Sequence, residues 1–138
     1  MIVKFNITIT DRIINNIIEQ AIDRMKQWCD EVEYMDCLYD NYMCWEMINI
    51  NNMDACSTII EHIQLDETIK LHDKRNNRKY QLTHKKIIKG IQRYLRRPVS
   101  GDFLKFTNGT LKVNIASIDE GIADAILQYA IFNKVIYE

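Results

Sequence analysis

Residues 68–97 read TIKLHDKRNNRKYQLTHKKIIKGIQRYLRR. Thr68 to Asp73 and Lys79 to Leu82 have strand character, and KRNNR between them is a turn whose Asn76-Asn77 pair tolerates the positive φ angles of a tight hairpin. Thr83 then offers an N-cap to a helix whose Ile87, Ile88, Ile91, Tyr94 and Leu95 fall on one side. That helix has to stop before Pro98, because the residue preceding a proline is pushed out of helical geometry. A local hairpin feeding directly into a helix is not a β-α-β unit. It points to an antiparallel sheet and an α+β fold.

The flanks agree. Upstream, Val3, Phe5, Ile7 and Ile9 alternate with polar residues and predict a strand over residues 2–9. From Arg12, Ile13, Ile14, Ile17, Ile18, Ala21, Ile22, Met25 and Cys29 recur at helical spacing. EVEYM at 31–35 alternates again and predicts a short strand with Val32 and Tyr34 inward. The stretch 37–53 has no clean period and reads as a loop or short helix; Asp54 can cap a helix from Ala55 to Gln64. Downstream, Asn108-Gly109 between alternating segments is a second hairpin signal. Ser117 with Glu120 forms a capping-box pattern ahead of a helix ending near Asn133, and KVIYE reads as a last strand. A length of 138 residues, with four Gly and one Pro, suits a single domain (1–138): a largely antiparallel sheet with two hairpins packed against three to four helices.

The formal net charge of -1 conceals two opposed blocks. Residues 1–68 carry four Lys/Arg against thirteen Asp/Glu, and residues 69–97 carry eleven against one. On the helix after Thr83, the apolar side leaves Lys85, Lys86, Lys89, Arg93 and Arg96 facing out, and Lys74, Arg75, Arg78 and Lys79 crowd the hairpin. Packed side by side, hairpin and helix would present phosphates with a basic surface, and each phosphate neutralised would release counterions. The same residues also read as a solvated face, or as partners for the acids around Asp30, Glu31, Glu33, Asp36 and Asp40.

Catalytic chemistry leaves little trace. His72 and His84 flank the hairpin beside Asp73, but the spacing supplies no third metal ligand; no metal or cofactor is expected. Cys29, Cys37, Cys44 and Cys56 fit no C-x-x-C pattern and read as buried thiols. There is no glycine-rich phosphate loop; Gly90, inside the helix, reads as a point of close packing. No apolar run approaches the ~20 residues of a membrane helix, and the N-terminus alternates where a signal peptide would be continuously apolar, so a cytoplasmic protein with no membrane partner is expected. Trp28 continues the first helix into the core. The aromatic, acidic segment with Asp36, Tyr39, Asp40, Tyr42, Trp45 and Glu46 is the expected partner-binding site.

WCDEVEY at 28–34, IKLHD at 69–73 with YQLTHKKIIKGIQRYL at 80–95, and ADAILQYAIFNKVIYE at 123–138 resemble a family of small proteins from phages and prophages of Gram-positive bacteria. Together these pieces span about a third of the chain, and residues 37–54 look like added material. The resemblance brings no catalytic residues. It implies a mobile element's accessory protein in the cytoplasm of a bacterial host. The expectation is a non-enzymatic protein that binds and modulates or inhibits a host defence complex, of CRISPR-Cas type for example, or a nucleic-acid-processing complex. Its partner would be a host protein or ribonucleoprotein, and a homodimer is a further option. The alternative is a nucleic-acid-binding module using Lys74, Arg75, Arg78, Lys85, Lys89, Arg93 and Arg96, and a small metal-dependent nuclease stands third.

Overall fold

The four-stranded sheet is built around one central strand, β1 (Cys29–Leu38), which pairs antiparallel with β2 (Tyr42–Asn49) on one side and β3 (Ile69–Asp73) on the other. β4 (Arg78–Leu82) pairs with β3 and completes the order β2-β1-β3-β4. A separate hairpin joins β5 (Leu104–Thr107) to β6 (Thr110–Val113). The helices are α1 (Asp11–Met25), α2 (Ala55–Gln64), α3 (His84–Leu95) and α4 (Glu120–Phe132). This is a computed structural model, and it describes residues 6–38, 42–97 and 102–137. The α+β class and its antiparallel sheet are as expected. No helix among the described residues is long and apolar enough to cross a membrane.

Local chemistry explains the element ends. Thr10 Oγ1 accepts from the Ile13 N–H at 3.3 Å and starts α1, and Thr83 Oγ1 accepts from the Lys86 N–H at 3.1 Å and starts α3. The β3–β4 turn uses Asn77 at φ 59, while Asn108 and Gly109 at φ 52 and 75 make the primed turn of the β5–β6 hairpin. Asn133, at φ 65, ends α4 in the left-handed conformation.

Several expectations need correction. Residues 42–49 form a full strand, because all eight pair with Glu31 to Leu38 of β1, which is correspondingly longer than EVEYM. Of the strand expected over 2–9, residues 6–9 are not in a sheet, and the remainder lies outside the described residues. Ile7 and Ile9 pack against the core, so their alternation records burial without a ladder. Asp54 stands at the start of α2 but its side chain accepts no helix N–H; the turn is tied instead by Asn52 Oδ1 and Ser57 Oγ. The cap of α4 is Asp119, whose Oδ1 accepts from Ile122 N–H at 2.8 Å, and Ser117 lies in a preceding 3₁₀ turn. Of KVIYE, residues 134–137 form no strand, since the N–H groups of Ile136 and Tyr137 both bond to Gln128 Oε1 at 2.8 Å, and Glu138 lies outside the described residues.

One sheet face carries Val32, Ile69, Leu71 and Leu82 into the core against the Ile13, Ile14, Ile17 and Ile18 stripe of α1 and against Ile126 and Leu127 of α4. The aromatic rings of Trp28, Tyr80, Phe132 and Tyr137 seal one end. α3 lies on α4 at Gly90, where a Cβ would come within 2.5 Å of the Ile126 carbonyl oxygen and 3.1 Å of Ala130 Cβ. In an open helix, alanine would be favoured over glycine by about 1 kcal/mol. Here the clash is with backbone, and overpacking of that kind costs about 1–3 kcal/mol or more. Gly90→Ala is therefore expected to lower stability by about 1 kcal/mol or more in urea denaturation, whereas a rise would show that α3 and α4 are not in close contact.

Candidate functional site

The sheet face away from the helices is set by strand register. Met35 of β1 stands opposite Trp45, and Glu33 stands opposite both Met47 and Lys70. Glu31 is opposite His72, and Lys79 and Gln81 of β4 continue the same face. The face is thus graded. At the β2 edge, Met43, Trp45 and Met47 are 51%, 40% and 55% exposed, values that belong to a surface stripe and not to a core. Further across, Lys70 Nζ sits 4.1 Å from the Trp45 ring centroid, and Lys79 Nζ meets Glu33 Oε1 at 2.6 Å.

The expected partner-binding set is divided by this register. Trp45 lies on the open face, but Asp36 and Glu46 lie on the opposite one, flanking Tyr34, whose hydroxyl pKa is raised by burial and by those two acids. Tyr39 and Asp40 lie outside the described residues, and for Tyr42 only the backbone is described, as the first residue of β2. Met35, Met43 and Met47 were missed. Their alternation with Trp45 is present in YMCWEMIN, but the intervening Cys44 and Ile48 are also apolar and hide the period.

The basic set does form an exterior. Lys74, Arg75, Arg78, Lys85, Lys89 and Arg96 are exposed and Arg93 is half-buried. Among the described residues none of the seven pairs with a carboxylate. Lys74 Nζ donates to the Lys26 carbonyl, Arg93 donates to the Asn133 carbonyl at 3.1 Å, and the Arg75 guanidinium lies 4.3 Å from the Tyr137 ring centroid. Residues 133–137 thereby bridge the end of α3 and the hairpin. Tyr94 is buried, as expected, and contributes no stacking surface.

The two histidines that flank the hairpin do not share a site. His84 faces Asp11 at 3.8 Å, whereas His72 Nδ1 lies 2.5 Å from Asp30 Oδ1 and its Nε2 lies 2.6 Å from Asn77 Oδ1. The hydrogen bond to Asp30, then that to Asn77, raises the His72 pKa above its ordinary value. Asp73 points the other way, fully buried, accepting from Tyr137 Oη–H at 2.5 Å and Arg75 N–H at 2.9 Å. Burial, together with that bond, pushes the Tyr137 hydroxyl up to about 12.

Of the cysteines, Cys29 is buried and its thiol is pushed up to about 12 by desolvation and the nearby Asp30, which makes it a poor nucleophile. Cys44 and Cys56 are only half-buried, contrary to expectation. The side chain of Cys37 lies outside the described residues. An open groove of about 370 Å³ gathers Asp23, Arg24, Glu120, Asp124 and Tyr137. Its carboxylates already have partners: Asp23 has Lys26, Glu120 has Arg24 and Asp124 has Gln128. Comparison of the chain with family models, characterised proteins and solved structures gives no match.

Burial raises the Asp124 pKa against the opposing hydrogen bond from Gln128. The folded state therefore holds this carboxyl proton more tightly than the unfolded chain. Stability falls as pH rises from the unfolded value through the folded one, and the full cost of the buried charge is present at pH 7. Asp124→Asn keeps an oxygen to accept from Gln128 Nε2 and removes the charge. The urea midpoint is expected to rise at pH 7 and to change less at pH 4; a fall at pH 7 would contradict this account.

Proposed function

We propose that this chain is a non-catalytic binding protein, an accessory of a phage or similar mobile element, that modulates a host defence or nucleic-acid-processing complex by direct association. The observation that carries the reading is the exposed Met43, Trp45 and Met47 stripe on edge strand β2, beside Met35. Natural edge strands are normally protected by Lys, Pro or a bulge, and β2 between Tyr42 and Asn49 carries only Glu46 as a charge, on its other face. Trp and Met are enriched at the centres of protein interfaces, and a charged rim such as Lys70, Glu33 and Lys79 sets orientation more than affinity. Support for the mobile-element context comes from the resemblance of residues 28–34, 69–73, 80–95 and 123–138 to small phage proteins. That context suits a protein that works by occupying a surface.

The hairpin and α3 cations that meet no carboxylate among the described residues favour a second reading, in which Lys74, Arg75, Arg78, Lys85, Lys89, Arg93 and Arg96 hold nucleic acid. With about four phosphate contacts, affinity would fall roughly a hundredfold between 50 and 200 mM salt.

One comparison separates the two. Wild type, Trp45→Ala/Met47→Lys and Lys85→Glu/Lys89→Glu are each offered bacterial host extract, and separately a DNA duplex across a salt series. The expected outcome is a host partner retained by wild type and by the α3 variant but lost from the β2 variant. Binding to DNA that is steeply salt-dependent and abolished only by the α3 variant would replace the first reading with the second. Recovery of no partner, or of one indifferent to Trp45, would remove the β2 face from consideration.

A further inference from the structure

The pairing of β1 with β3 is irregular at one place. Cys29 stands opposite Asp73 and Glu31 opposite His72, which leaves Asp30 as an extra residue in β1. Such a bulge re-aims side chains, and here the Asp30 carboxylate turns toward His72 on the same side as Glu31. One ligand atom from each of Asp30, Glu31 and His72 lies within 4.8 Å of the other two, all three residues being half-buried. Glu31 makes no hydrogen bond or ion pair through its carboxylate among the described residues.

We propose that Asp30, Glu31 and His72 form a binding site for a divalent transition-metal ion of the zinc class. An imidazole nitrogen with two carboxylate oxygens suits zinc, cobalt, nickel or manganese, and the nitrogen disfavours magnesium and calcium. Donor atoms around a tetrahedral ion lie roughly 3.3 Å apart, from bonds of about 2.0–2.1 Å, so side-chain rotation has to open the 2.5 Å separation of His72 Nδ1 from Asp30 Oδ1 and draw Glu31 in from within 4.8 Å. The orientation of His72 supports the assignment. Asn77 Oδ1, 2.6 Å from Nε2, accepts that ring N–H, so an ion would displace the proton that Nδ1 shares with Asp30 and take Nδ1 as its ligand atom. Asn77 is itself held at φ 59 by the β3–β4 turn, so the hairpin supplies the outer contact that metal-binding histidines require. Three protein ligands on a solvent-facing sheet leave a coordination position open to water or to a partner's side chain.

Tag-free protein, stripped with chelator, is titrated at pH 7.5 with Zn²⁺ by calorimetry and with Co²⁺ by visible absorption. One saturable equivalent is expected. His72→Gln and Glu31→Gln should each weaken it at least tenfold, His84→Gln should leave it unchanged, and circular dichroism should show all three folded. Absence of saturable binding overturns the proposal. So does binding that survives both substitutions, or a Co²⁺ spectrum with thiolate charge-transfer bands, because the ion would then sit on the cysteines. The site is independent of the β2 face, and neither outcome alters the partner experiment.

Discussion

The antiparallel pairing of β1 with β3 is the constraint on which the rest of the molecule depends. It joins the acidic half of the chain to the basic half through a shared ladder. Along it Asp30 of β1 meets His72 of β3, and Glu33 of β1 reaches past β3 to Lys79 of β4. Partly exposed pairs of this kind contribute on the order of 1 kcal/mol each, so the ladder and the buried Val32 and Leu71 do the holding and fix the register. The near-neutral total is thus partly realised inside the sheet. What remains outside is uneven: an apolar stripe at the β2 edge, and cations on the β3–β4 turn and α3 that meet no carboxylate among the described residues.

A second junction holds the C-terminal residues in place. Gln128 is almost fully buried, yet its amide satisfies every demand made on it, donating to Asp124 and the Tyr137 carbonyl and accepting from the N–H groups of Ile136 and Tyr137. Tyr137 then reaches Asp73 of β3 and stacks on Trp28. A polar network in which each member is satisfied rigidifies, whereas a half-satisfied one would cost stability. Its consequence at the surface is that Arg75 rests on Tyr137, and the turn's positive charge is held close to the end of α3.

The helices were legible in the sequence because their stripes are long: the isoleucines of α1 and α3 repeat over several turns, and Thr83 and Asn133 mark ends by local chemistry. The hairpins at Asn77 and at Asn108-Gly109 were legible for the same reason. β2 was not, since a strand that is apolar on both faces has no period, and only its pairing with β1 identifies it. The N-terminal alternation misled in the opposite sense, as Ile7 and Ile9 are packed without being paired. The contact set was half legible: Trp45 stood out by residue type, but the face it shares with Met35, Met43 and Met47 depends on register. The association of His72 with Asp30 and Glu31 spans 42 residues and follows from a bulge that no spacing rule announces.

The two tryptophans give the most direct test of the central claim, that the β2 edge presents an apolar face to solvent. Trp28 is 1% exposed and Trp45 is 40% exposed. Acrylamide quenching of tryptophan fluorescence in dilute wild-type protein should show one accessible and one shielded emitter. In Trp45→Phe, the remaining emission should be blue-shifted and nearly unquenched. If Trp45→Phe removes the shielded component instead, Trp45 is interior, the register of β1 and β2 is wrong, and the proposed contact face does not exist.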